Sequence, residues 1–328
     1  MTSTRKLLLL SAALIASMTP AAASAPPHPH SPKAALLVSG LEGGSGSTIG
    51  PDGALYVTEG IAGRISRVDP RTGDVSTFAT GLPKRVGAIG GAMDVAFIGK
   101  TAFALVTLVG PDAGGTDVVG IYRVDGRRRV SVVADIGAFA LSHPPSTPFF
   151  VPTGVQYAME PYRGGFLVTD GHHNRVLHVT LDGHVSVLIA FDNIVPTGLA
   201  RSSSLVFVAQ AGPVPHLPEN GRIVVFGPRA DAAIEVASGA RLLVDVEFGP
   251  GLRLYALSQG DFVAGNPEGS PAEPNTGSLV KVNSDGSLGV TTDGLNQPTS
   301  LEFIRDTAYV VTLGGEIWAI DHVSHGRH

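Results

Sequence analysis

The sequence predicts an all-β fold: a six-bladed β-propeller with four-stranded blades, its last blade closed by an N-terminal strand. Three observations predict it. One phrase recurs six times along the chain: an apolar strand, a turn, a second apolar strand, a Gly-x-Ile-x-x-Val strand and an alternating strand. The runs are short, rich in Val, Ile, Leu and Phe, and bounded by Gly, Pro and Asp, as strands are. No stretch carries a 3.6-residue period; the best helical candidate, 231–246, alternates at Ile234 and Val236 as a strand would.

The third strand of each phrase is the clearest. It reads Gly63-Arg64-Ile65-Ser66-Arg67-Val68 in the first copy and Gly315-Glu316-Ile317-Trp318-Ala319-Ile320 in the last. The other copies begin at Gly120, Asn174, Gly221 and Gly277. Second strands precede them at 55–58, 166–169, 205–208 and 308–311, and outer strands follow at 75–79, 130–134, 185–189, 233–237 and 288–292. Inner strands begin near Thr48, Asp94, Thr153, Thr197, Asp245 and Thr299. The sixth copy lacks an outer strand, and residues 35–41 look like the outer strands that precede Gly81-Leu82 and Gly294-Leu295. That strand would complete the last blade and hide its edge. Residues 34–321 then form one domain of six blades averaging 48 residues. A linear β-solenoid is the runner-up, but it would not need an N-terminal strand of outer type. Trp318 alternates with Ile320 and is expected to pack between blades.

Residues 1–23 read as a secretory signal peptide. Arg5 and Lys6 precede an apolar run at 7–18, and Ala21-x-Ala23 supplies the cleavage site. The run is too short for a comfortable membrane span, so export without a stable membrane anchor is expected. Residues 24–33 read as a flexible leader holding His28 and His30, and 322–328 as a tail holding His322, His325 and His328. The formal charge is −5 and would become −7 after cleavage. No basic patch points to nucleic acid. Cysteine is absent, which excludes thiol catalysis, Cys-ligated zinc and stabilisation by disulfides. A monomer is expected.

Several phrases carry a resemblance. Thr169-Asp170-Gly171-His172-His173-Asn174-Arg175-Val176 resembles the NHL repeat, as do Val151-Pro152-Thr153-Gly154-Val155 and Val195-Pro196-Thr197-Gly198-Leu199. The order of phrases resembles the exported ScyD/ScyE family of six-bladed propellers. The telling ones are Gly50-Pro51-Asp52-Gly53-Ala54-Leu55-Tyr56-Val57, Glu160-Pro161-Tyr162-Arg163-Gly164-Gly165 and Asp245-Val246-Glu247-Phe248-Gly249-Pro250. The resemblance implies fold and export, and a role accessory to secondary metabolism, more than an activity. Gluconolactonase-like (SMP-30-like) and strictosidine-synthase-like propellers are remoter in shape, and shared shape does not carry chemistry across.

Propeller geometry places a candidate site. Turns after first and third strands are short, as at Pro51-Asp52-Gly53 and Ser284-Asp285-Gly286. Connections on the opposite face are long, at 110–119, 138–151, 211–220 and 260–276. One decorated face and one plain face are therefore expected. On the decorated face Thr48, Asp94, Thr153, Thr197, Asp245 and Thr299 would ring the channel mouth, with Glu59, Asp170, Gln210 and Gln259 near it. Asp94 and Asp245 lie three blades apart, so they would face each other across the axis and could hold Ca²⁺ or another divalent cation. A water-filled channel with capped strand ends is the plainer reading. A gluconolactonase-type site would need Glu42, Asn193, Asn296 and Asp245 to converge, and the local phrases do not match that family.

No Gly-x-Ser-x-Gly or His-Glu-x-x-His motif is present, and Gly44-x-Gly46 lacks the helix of a dinucleotide fingerprint. A secreted binding or scaffold propeller is therefore expected, using its long-loop face for a small ligand or a protein partner. The alternative is a metal-dependent hydrolase or lactonase at the channel mouth.

Overall fold

A computed structural model describes residues 32–267 and 269–325. The signal-like segment, most of the leader and the last three residues lie outside them. Six four-stranded antiparallel sheets form six blades. Their inner strands are Gly44–Ile49, Gly91–Ile98, Gln156–Tyr162, Pro196–Ser202, Leu243–Phe248 and Pro298–Ile304 in blades one to six. Blade six is completed as expected. Lys33–Val38 pairs antiparallel with Ile317–Asp321, setting Leu36 opposite Trp318.

Both faces of each sheet are covered by neighbouring blades, which explains why second strands read as near-continuous apolar runs. Every residue of Leu55–Glu59 and of Gly165–Asp170 is buried. Between blades two and three, Phe103, Leu105 and Ile121 meet Met159, Phe166 and Val168. Between blades six and one, Val38, Val311 and Ile317 meet Leu55, Val57 and Val68. Trp318 is only half-buried, packing against the cluster around Leu279 and Ile320 while its indole N–H donates to Glu316 Oε2 at 2.8 Å.

The plain face has its tight turns. Gly53, Gly183 and Gly286 take φ of 77°, 89° and 83°, a region that favours glycine. One element departs from expectation. Ile136–Ser142, inside a connection read as loop, is a seven-residue helix. Asp135 caps it by accepting the Ala138 N–H at 2.7 Å, and Ile136 and Ala140 are buried. Two turns are too short to leave a period in the sequence.

Candidate functional site

Each inner strand slips register against its second strand near its start. The first residues after the slips are Ser47, Asp94, Met159, Leu199, Asp245 and Ser300. Asp94 and Asp245 thus occupy equivalent places three blades apart, and they do the same work. Asp94 accepts the Val95 N–H at 2.8 Å on Oδ1 and the N–H of Met159 in the next blade at 2.7 Å on Oδ2. Asp245 accepts Val246 and, across the blade boundary, Leu301, both at 2.8 Å. At the boundary from blade six to blade one the Ser300 hydroxyl oxygen takes the Ser47 N–H at 3.0 Å. Slipped strands leave backbone groups unpaired at the channel wall, and these side chains satisfy them. Glycines make room. A Cβ on Gly46 would lie 2.6 Å from the Asp94 Cα, and one on Gly198 2.5 Å from the Asp245 Cα.

The other ring residues separate. Thr48 lines the channel. Thr197 and Thr299 also line it, but their hydroxyls stitch blades: Thr197 donates to Leu243 O at 2.8 Å, and Thr299 reaches Gly44 O of blade one at 3.4 Å. Thr153 does not join the ring. Blade three's inner strand starts three residues later, after a turn in which Gly154 has φ of 75°, and Thr153 holds Asp112 Oδ2 through its N–H and hydroxyl at 2.9 and 2.8 Å. Glu59 is also turned away from the channel. It is fully buried, pairs with Arg64 at 2.7 Å, and accepts the Ser66 hydroxyl and the Glu42 N–H. Burial pushes its carboxyl up, but these donors outweigh burial and hold it below the usual range. Asp170 repeats the arrangement, bound by Arg175 Nε at 2.8 Å and by Gln156.

The gluconolactonase-type set is not brought together. Glu42 is an exposed partner of Arg64, Asn193 is exposed between blades three and four, and Asn296 sits between blades five and six. Only Asp245 of that set lines the channel.

A cavity of about 170 Å³ occupies the channel and opens among the long connections. Its rim carries Arg85, His172, His216 and Pro271, from the connections of four blades. Tyr157 OH lies 3.0 Å from His172 Nε2, and His216 Nδ1 lies 3.1 Å from the Ala211 carbonyl. Below the rim are Met93, Val195, Val244 and Leu313. Deeper still, three acids not expected from the sequence join Asp94 and Asp245: Glu160, Glu247 and Glu302. They lie one or two residues beyond the slip, about 3–7 Å further along the channel at the usual strand rise. Glu160 and Glu247 stood inside phrases quoted above, but at unequal positions in the repeat.

Protein encloses all five acids except where the cavity wets them. Burial drives Glu160 up to about 7, against the pull of the Arg201 guanidinium. Burial raises Asp245 to about 7 despite its backbone donors. Burial raises Glu247 to about 8, with the charges of Asp245 and Glu160 adding to it. Asp94 and Glu302 are also held well above the carboxylate range, by burial first and then by the other acids; Asp94 feels Asp245 across the channel. Among the described residues no group of three or more His, Asp or Glu stands at metal-holding spacing.

No family model matches the chain, and no curated protein matches it. Solved structures do. A gluconolactonase from Xanthomonas campestris superposes with a TM-score of 0.61 at 14% identity, over 88% of this chain and 89% of that one. A PQQ-bound aldose sugar dehydrogenase from Streptomyces coelicolor gives 0.61 at 14%, over 90% and 99%. Virginiamycin B lyase from Staphylococcus aureus gives 0.53 at 12%, over 88% and 98%. Three different chemistries on one scaffold leave the fold as the shared property. The chain is a six-bladed β-propeller whose structural neighbours include gluconolactonases, and its ScyD/ScyE resemblance finds no matching family model.

Proposed function

We propose that this chain is a small-molecule-binding propeller that takes its ligand in the channel, through the long-loop face. One observation carries the reading: an apolar collar leads into a pocket where five carboxylates converge. An apolar wall with a few convergent polar groups is the usual form of a ligand site. Export, suggested by residues 1–23, belongs to this proposal, as does a role accessory to secondary metabolism.

The test is to block the cavity without touching a hydrogen bond. Thr48 lines the cavity as a half-buried side chain, so Thr48→Trp fills it. A panel of small cationic, neutral and anionic compounds is screened by thermal shift against both proteins. Hits that raise the melting point of the unmodified chain and not of Thr48→Trp support the reading. Hits that act equally on both place binding elsewhere.

A second reading is a divalent-metal-dependent hydrolase. It is favoured by the opposition of Asp94 and Asp245, whose mutual repulsion a cation would relieve. Calorimetric titration of Ca²⁺ into the unmodified chain, Asp94→Asn and Asp245→Asn decides it. Binding that both substitutions weaken supports the reading, and no binding at millimolar Ca²⁺ removes it.

A further inference from the structure

Glu160 and Glu302 line the cavity as half-buried side chains and accept no hydrogen bond from any described residue. Glu247 accepts one, from the Phe248 N–H on Oε1. The oxygens of these three acids therefore face the cavity with few protein donors of their own, and a ligand's donors can reach them. The nearby bases do not supply such donors. Arg201 gives Nη1 to the Pro161 carbonyl and Nη2 to Ser203 O at 3.2 Å, and it lies over the Tyr162 ring. Arg85 at the rim donates to Ala88 O at 3.0 Å.

We infer that the cavity takes an organic cation, an ammonium or guanidinium on an apolar body, with its charged group among Glu160, Glu247 and Glu302. This rests on the channel-site reading above. Such a head supplies several N–H donors to acids that lack them, and charge-assisted bonds of this kind are strong. The body lies against Met93, Val195, Val244 and Leu313. Two other ligands fit less well. A bare divalent ion needs several oxygens converging on one point, whereas the oxygens of Asp94 and Asp245 are engaged by backbone N–H groups of two blades each. A sugar needs donors and acceptors around its ring. The hydroxyls of Thr197, Thr299 and Ser300 that line the channel are already engaged by backbone groups, and Gln259 has its Oε1 taken by the Ala272 N–H.

Three probes of equal shape test it: cyclohexylmethylammonium, cyclohexylmethanol and cyclohexanecarboxylate. Each is titrated calorimetrically into the full chain, into Glu160→Gln and Glu302→Gln, and into Thr48→Trp. The ammonium is expected to bind at least about tenfold tighter than the alcohol, and the carboxylate not to bind. Each Gln variant should lose about tenfold or more in ammonium affinity with its circular dichroism unchanged. Equal affinity for ammonium and alcohol, or unchanged ammonium affinity in both Gln variants, overturns the inference and leaves the channel site standing. Ammonium binding that survives in Thr48→Trp overturns the channel reading itself. Displacement of ammonium by Ca²⁺ that Asp245→Asn abolishes gives the site to the metal reading. No binding of the ammonium at millimolar concentration overturns the inference outright.

Discussion

Raising the pH should destabilise this propeller over a range in which most proteins change little. Burial in the channel raises its carboxyls when folded, and unfolding returns them to ordinary values. Glu247 moves from an ordinary 4.5 to about 8 in the fold, Glu160 from 4.5 to about 7, and Asp245 from 3.8 to about 7. A group raised in the folded state contributes stability that is complete below its unfolded pKa and is lost as pH climbs through its folded pKa. The window therefore runs from about pH 4 to about pH 8. The acids held low by donors, such as Glu59 and Asp52, gain their stability below that window and do not oppose the trend. One shifted unit corresponds to about 1.4 kcal/mol, so Glu247 alone has an upper bound near 4–5 kcal/mol. The cavity wets the group and its neighbours share the strain, so about 2–3 kcal/mol is the working figure. Glu247→Gln removes the charge and keeps an Oε1 for the Phe248 N–H. Urea unfolding of both proteins near pH 5 and pH 8 reads the result. The variant should match the unmodified chain at the lower pH and exceed it by about 2–3 kcal/mol at the higher. Parallel pH profiles for the two proteins would refute the reasoning.

Three other perturbations follow from the structure. Deleting residues 24–42 removes the strand that covers Ile317–Asp321; the melting point should fall and aggregation rise, and an unchanged melting curve would contradict the closure. Arg175→Ala strips buried Asp170 of its ion pair and should cost about 3–5 kcal/mol by urea denaturation, against under about 1 for exposed Arg67→Ala. Trp318→Ala should cost about 1–3 kcal/mol, less than for a fully buried aromatic, because the ring is half-buried and loses one bond to Glu316.

The fold was legible because six copies of one phrase sum their weak signals, and because residues 35–41 look like an outer strand with no blade of their own. Asp94 and Asp245 were legible for a related reason: they sit at one repeat position, which geometry carries to opposite sides of the axis. Glu160, Glu247 and Glu302 were not, because their phrases do not align all three with one another and only the closed ring brings them together. Thr153 was placed one turn too deep, since nothing in its phrase marks the delayed start at Gln156. Glu59 ends its strand as expected, but Arg64 and Ser66, the first and third residues of the next strand, draw its carboxylate aside. The short helix at Ile136–Ser142 is set by a cap and two buried faces, which a period search over so few residues does not register.

The pairing of Leu36 with Trp318 has a consequence for how the molecule is made. These partners are roughly 280 residues apart, and bringing such distant points together costs about 5 kcal/mol of chain entropy before any contact returns it. Blades one to five are built from neighbouring hairpins and can assemble as the chain appears. The ring cannot lock until its last hairpin arrives to meet a strand synthesised first. Until then an open arc exposes two sticky ends, and afterwards no blade can leave without breaking the circle. Formation is therefore slow and its final step late, while loss of structure starts at one seam: a molecule hard to complete and, once complete, slow to come apart.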